Sequence, residues 1–341
     1  MERARAVLLR GIEQRAMPGA VVCVRRRGET LWHEALGTTE GTTATTLSTL
    51  YDLASITKPL AMASSMSALL EQGDVALSTP LTNFLPDAPH LKSATVGHLL
   101  THTSGLPAWI ACYKDEGNGL EAAVRAILTL ELRGAPSTHY EYSCLNYILL
   151  ARLLESITGT YLDRFAEQHV FAPLGLADTL TFHPNPTDCA PTISQEGPRS
   201  GEALTGVVHD GNARAITAEG SSVSGNAGLF GTAEAVARFG EAILHGGLFG
   251  SPTRQRWLTP QSTPPGHTLG FFCKPNGLTP SGELLSDRAV GHSGFTGTAL
   301  VLDPETGCVI SLLTNAVYLD NTKTEFLPLR RRFMNAIAGA L

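Results

Sequence analysis

The stretch TALVLDPETGCVISLL, residues 298–313, decides the fold. Its two apolar runs, 298–302 and 308–313, flank Asp303, Pro304, Glu305, Thr306 and Gly307, whose turn chemistry makes the whole a β-hairpin. A second hairpin lies at the other end of the chain. Residues 19–24 and 30–36 are β-like, and Arg25, Arg26, Arg27 and Gly28 separate them. Before it, Val7, Leu8 and Ile12 share one face of a short amphipathic helix. After the final hairpin, Phe326, Leu329, Phe333 and Ile337 repeat with helical spacing, so residues 322–341 predict a helix that covers one face of the sheet.

Between the ends the period changes. Helical patterns occupy residues 55–73, 119–132, 143–157 and 232–245, each ended by glycine or turn residues. The expected class is α/β plus all-α: an antiparallel β-sheet flanked by helices, with an inserted and mostly helical lobe. Residues 1–54 and 267–341 would form the sheet lobe and residues 55–266 the helical lobe with its long loops. The active site would lie in the cleft between them, and residues 183–206, rich in Pro, Gly, Ser and Thr, would be a long surface loop bordering it.

Composition narrows the function. A chain of 341 residues with 43% hydrophobic and 16% charged residues is globular and long enough for two lobes. A net charge of −6 gives no basic field to hold a polyanion, so nucleic acid is excluded as a partner. The first residues do not make a signal peptide, and no run approaches the roughly 18 apolar residues of a membrane span, so a soluble, cytoplasmic chain is expected. Six cysteines stand singly, away from histidines at ligand spacing, which suits reduced thiols and implies no metal and no cofactor.

The chemistry-bearing segment is Tyr51-Asp52-Leu53-Ala54-Ser55-Ile56-Thr57-Lys58-Pro59. Serine and lysine three apart at a helix start face the same way, so the amine can act on the hydroxyl proton. Unpaired N–H groups of the first turn favour negative charge there. Tyr142, in Tyr140-Glu141-Tyr142-Ser143-Cys144, opens another helix and can project beside that pair. Gly291-His292-Ser293-Gly294-Phe295-Thr296-Gly297 precedes a β run, with glycines that allow close approach to a substrate. Alone, Ser-x-x-Lys is a weak signal that helix caps also produce, and an isolated Tyr142 reads as core.

Together the motifs resemble the class C β-lactamase and penicillin-binding-protein-like serine hydrolases, a group that includes esterases and peptidases. The resemblance covers nearly the whole chain. It extends to His98-Leu99-Leu100-Thr101-His102-Thr103-Ser104-Gly105-Leu106-Pro107 and to residues 206–210 and 225–232. It implies a serine β-lactamase/DD-peptidase-like fold in which Ser55 attacks a carbonyl, Lys58 and Tyr142 shuttle its proton, and the backbone N–H groups of Ser55 and Phe295 hold the oxyanion. Both shuttle groups have pKa values of about 10 in free peptides, so a base at neutral pH requires surroundings that lower one of them.

Two departures from the family pattern bear on substrate. His292 stands where the β-lactamases have a lysine that helps dock a carboxylate, and Cys144 stands where an asparagine amide is common. Both point to an ester or small amide rather than a β-lactam. His292, Ser293, Gly294, Cys144 and Trp109 are expected to line the substrate site. A β-lactamase or D-alanyl-D-alanine carboxypeptidase is the alternative within the same chemistry, and a catalytically silent binding module is the alternative outside it.

Overall fold

Strands β1 (Gly19–Arg26) and β2 (Glu29–Gly37) pair antiparallel, as do β10 (Ala299–Asp303) and β11 (Cys308–Leu313), giving both expected hairpins. The hairpins join through β1 and β11, with Cys23 opposite Ser311, so the two ends of the chain meet in the middle of the sheet. Two further strands, β8 (Phe272–Cys273) and β9 (Val290–Ser293), complete the order β2-β1-β11-β10-β9-β8. The computed structural model describes residues 1–341 except 87, 89–90, 115–116, 196–198, 219, 221, 263–265 and 275–276.

Alternation along the strands separates two apolar layers. Val22 and Val24 of β1 face a cluster with Leu8 of α1 (Glu2–Glu13) and with Phe333 and Ile337 of α10 (Phe326–Ala338). Val21 and Cys23 face the opposite layer. That layer continues without a break into the middle of the chain, through α2 (Ser64–Gln72), α3 (Val96–Leu100), α4 (Leu120–Leu128), α5 (Cys144–Thr158) and α6 (Leu162–Ala166). Helices α7 (Gly211–Thr217), α8 (Ala233–His245) and α9 (Ser251–Leu258) follow.

Helix α8 lies directly on the sheet. A Cβ on Gly240 would come within 2.6 Å of Val309, so the glycine sets how closely helix and strand approach. Residues 55–266 therefore supply one of the sheet's covering helices as well as the helical region, and the two regions share a single apolar cluster.

Three local features position the site. The small sheet β3 (Tyr51–Asp52), β7 (Phe230–Gly231) and β4 (Leu180–Thr181) brings residues 51–52 beside 230–231. Residues 55–73 do not form one regular helix. They run through a 3-10 turn at Ala54–Ile56 and a wider π turn at Lys58–Ala63 before α2 begins. Pro59 has no N–H for the Ser55 carbonyl that an α-turn would require, and the backbone widens there. Residues 183–206 are more ordered than a plain loop, since β5 (Thr192–Ile193) pairs with β6 (Ala203–Leu204) and Ser194 is buried; 196–198 lie outside the described residues.

Candidate active site

Ser55 sits one residue after a backbone outlier. Ala54 has φ of 47°, a conformation that costs a non-glycine residue roughly 1 kcal/mol or more. The fully buried Asp52 holds it there. One carboxylate oxygen accepts from Ala54 N–H at 2.8 Å and the other from His209 N–H at 2.7 Å. Burial pushes the Asp52 carboxyl up to about 6, against the pull of those two N–H groups. Thr296 and Thr298 donate their hydroxyls to the carbonyls of Asp52 (2.7 Å) and Leu53 (3.1 Å), fastening the same turn to the β9–β10 connection. A Cβ on Gly294 would meet the Leu53 carbonyl oxygen at 2.4 Å, so only glycine lets the end of β9 lie this close.

Lys58 is fully buried. Its Nζ donates to Ser55 Oγ at 3.0 Å, to the Asn226 carbonyl at 2.8 Å and to Cys144 Sγ at 3.4 Å. The Asn226 segment is fixed in turn, because Leu229 N–H donates to the Thr57 hydroxyl at 3.0 Å and the Leu229 carbonyl accepts from Leu53 N–H at 2.9 Å. Tyr142 faces the pair from the start of α5, with Lys58 Nζ 5.1 Å from its ring centroid. Its phenol oxygen is buried and, although Ser55 acts on it, makes no hydrogen bond of good geometry. Burial raises the Tyr142 pKa well above the ordinary phenol value. The lowering expected from the sequence is thus not found at Tyr142, because loss of water disfavours phenolate more than its neighbours favour it.

The segment around Tyr142 is held by the histidine-rich motif. His102, at φ 58°, accepts from Ser143 N–H through Nδ1 at 3.1 Å, and Ser143 donates its hydroxyl to the Pro107 carbonyl at 2.6 Å. Its ring lies 4.6 Å from that of Tyr142, so this histidine supports the tyrosine mechanically. His98 caps α3 through Thr95, and Asp210 caps α7 through Ala213 N–H.

Two cavities meet at Ser55 and share Tyr142 and Phe295. The first, about 230 Å³, also has Ser293, Gly294, Lys323 and Arg330 in its wall. The second, about 270 Å³, has Trp109, Cys144, Gln195, His209 and Asp210. Phe295, 50% exposed and stacked 5.6 Å from His209, stands between them, and Trp109, 39% exposed, forms part of the rim. Neither Ser55 N–H nor Phe295 N–H is taken up by a hydrogen bond among the described residues.

Of the expected lining residues, Cys144, Ser293, Gly294 and Trp109 face these cavities and His292 does not. His292 is fully buried, stacked on Phe272 at 4.6 Å, and donates Nδ1–H to the Ser293 carbonyl at 2.9 Å. Burial, and then the charge of Lys58, holds it well below the usual histidine range. It is a neutral packing residue, where the sequence alone suggested a partly charged substrate contact. Asp52, the Asn226 carbonyl, Lys323 and Arg330 are the site groups that the sequence reading missed. Asp52 had a signal, a carboxylate two residues before an N–H at a helix start. The others depend on distant segments coming together.

The family described as Beta-lactamase matches residues 4–329. The chain belongs to the β-lactamase family. Among curated relatives, a "Putative D-alanyl-D-alanine carboxypeptidase" of Escherichia coli (strain K12) is 31% identical over 309 residues, covering 79% of this chain and 70% of the relative. An "N-acetylmuramyl-L-alanine amidase" of Bacillus subtilis (strain 168) is 29% identical over 342 residues, covering 87% and 77%. The fold matches that of "EstCE1, a hydrolase with promiscuous acyltransferase activity", with a TM-score of 0.78, 22% identity, and coverage of 98% and 97%. As a member of the β-lactamase family the chain is a serine hydrolase, of a kind that works through an acyl-enzyme. No helix among the described residues is long and apolar enough to cross a membrane.

Proposed function

We propose that Ser55 is the nucleophile of an acyl-transfer hydrolase acting on an ester or small amide, with Lys58 as the base and Tyr142 as the proton donor. The observation that carries this is the buried Lys58 amine 3.0 Å from Ser55 Oγ. Three partners hold that nitrogen, Ser55 Oγ, the Asn226 carbonyl and Cys144 Sγ, and keep the amine within reach of the hydroxyl whose proton it would take. A phenol with a raised pKa keeps its proton, which suits Tyr142 to protonating a departing alkoxide or amine and not to starting the reaction.

The steps follow from those positions. Ser55 Oγ attacks the carbonyl carbon as its proton passes to Lys58. The oxyanion accepts from Ser55 N–H and Phe295 N–H, and the leaving group departs with a proton from Tyr142, which Lys58 replenishes. Water then repeats the sequence on the acyl-enzyme and releases the acid. A fluorophosphonate probe should add one label per chain, and Ser55→Ala should abolish it in intact-mass measurement. A label that persists in that variant, or maps to another serine, refutes the assignment. A carboxypeptidase reading gains support from the basic lining of the first cavity.

A further inference from the structure

Five of the six cysteines are buried in the fold, and Cys144 is the exception. It opens α5 and lines the second cavity beside Ser55, so a small molecule that enters the cavity reaches its sulfur. That sulfur accepts from Lys58 Nζ at 3.4 Å, and the thiol thus shares the amine that also contacts Ser55 Oγ. A third group closes on the same place. Asn226 is fully buried; its backbone carbonyl accepts from Lys58 and its Oδ1 accepts from the Ser224 hydroxyl. Its side-chain NH2 acts on the Cys144 thiol but makes no hydrogen bond of good geometry. A buried donor is left with a sulfur, a weak acceptor, where an oxygen bonded to that sulfur would be a strong one.

The neighbours also decide how the thiol can react. Burial raises the Cys144 pKa and the charge of Lys58 pulls against it, so the thiol keeps its proton at rest. Lys58 stands within reach to take that proton when an electrophile arrives.

We propose that Cys144 is an oxidative modification site for hydrogen peroxide, and that its end product is a covalent bond between Cys144 Sγ and Lys58 Nζ. Lys58 takes the thiol proton, the sulfur attacks one peroxide oxygen, the O–O bond breaks, and the departing hydroxide leaves as water with the proton from Lys58. Sulfur loses two electrons and the peroxide gains them. The sulfenic acid then lies beside a neutral amine, with the Asn226 NH2 placed to hold its oxygen. Lys58 Nζ attacks the sulfur, an S–N bond forms, the S–O bond breaks, and the hydroxyl leaves as water with an amine proton.

This deepens the proposed function and rests on Lys58 as the base. A nitrogen bonded to sulfur is drawn away from Ser55 Oγ and is no longer a basic amine, so hydrolysis stops. Two equivalents of thiol reverse it. The first attacks the sulfur, which frees the amine and leaves a mixed disulfide, and the second returns Cys144 to the thiol.

Hydrogen peroxide should lower phenyl acetate hydrolysis by the wild-type enzyme by at least about 10²-fold, the loss expected when a positioned base is removed, and dithiothreitol should restore it. In a digest of the oxidised protein, the peptide carrying Lys58 should be joined to the one carrying Cys144, and the pair should weigh about 2 Da less than the two together, since two hydrogens are lost and no oxygen is kept. Lys58→Met should stop at the sulfenic acid, which dimedone traps on Cys144. Cys144→Ser, whatever its starting rate, should keep that rate through the same treatment. Inactivation of Cys144→Ser at the wild-type pace, a dimedone adduct as abundant on wild-type Cys144 as in Lys58→Met, or a treated wild-type enzyme that keeps both its thiol and its rate would overturn the link. A link that forms while hydrolysis continues unchanged would instead overturn Lys58 as the base.

Discussion

On one side of Ser55, Lys58 is held by three partners from separate parts of the chain: the serine itself, the first residue of α5, and the carbonyl of Asn226. On the other side Lys323 has one backbone partner and an aromatic ring, Phe295 is half exposed, and Trp109 stands at the rim. The contrast separates two jobs. The groups proposed to move protons are over-determined by packing and should tolerate little change, while those proposed to face substrate are held loosely enough for specificity to shift without disturbing Ser55.

The sharpest way to break that contrast is on the rigid side. Lys58→Ala should lower kcat by about 10²-fold to 10⁴-fold on any ester, the usual contribution of a positioned general base. Tyr142→Phe should cost as much on an alkyl ester, yet far less on a nitrophenyl ester, whose leaving group departs without a proton. On alkyl esters the double variant should be little worse than either single one. Equal losses from Tyr142→Phe on both ester types would show that the phenol takes part in removing the serine proton.

A smaller effect is expected at Asp52, which touches no substrate. Asp52→Asn turns an N–H group towards a backbone donor, either Ala54 or His209, and should cost about 1–3 kcal/mol of stability and roughly 10-fold in kcat as the Ser55 turn loosens. Burial raises the folded-state pKa from 3.8 to about 6, so the carboxyl's own contribution is complete below pH 3.8 and is lost as pH rises through about 6. The stability gap between wild type and Asp52→Asn should therefore narrow between about pH 4 and pH 7 in denaturant titrations. A gap that widens over that range would mean the two N–H bonds outweigh burial.

The smallest effect belongs to the substrate-facing side. Cys144→Asn places an amide in the second cavity and should raise the ratio of β-lactam to ester kcat/KM by about 3-fold to 10-fold, the value of one neutral hydrogen bond. An unchanged or falling ratio in a folded variant would show that Cys144 matters only as a partner of Lys58.

What was legible in the sequence was local. The Asp-Pro-Glu-Thr-Gly turn fixes the last hairpin, and three-residue spacing makes the Ser55–Lys58 contact legible before any tertiary structure. The interruption of the helix after Ser55 was less visible, since Pro59 reads equally well as a first-turn proline. Burial was not legible at all. His292 looked like a weakly charged substrate contact, and one of Lys58 and Tyr142 like a group whose pKa would fall; at His292 and Tyr142 desolvation by distant segments decides otherwise. Lys323 and Arg330 lie in no recognisable motif and acquire meaning only because α10 returns to the cavity beside Ser55.

The hydroxyls of Thr296 and Thr298 reach back across 244 and 245 positions of chain to the turn that carries Ser55. Phe295, whose N–H is proposed as the second oxyanion donor, comes from the same late segment, and the central pairing of the sheet joins β1 to β11. During synthesis, the serine and lysine emerge together and early, but the machinery around them stays incomplete until the final strands have been made. A nascent or truncated chain would therefore carry the proposed nucleophile without the segments that hold its turn. On the proposed mechanism, hydrolysis should begin only once residues 290–313 are in place, a delay that long-range topology would impose without any separate inhibitor.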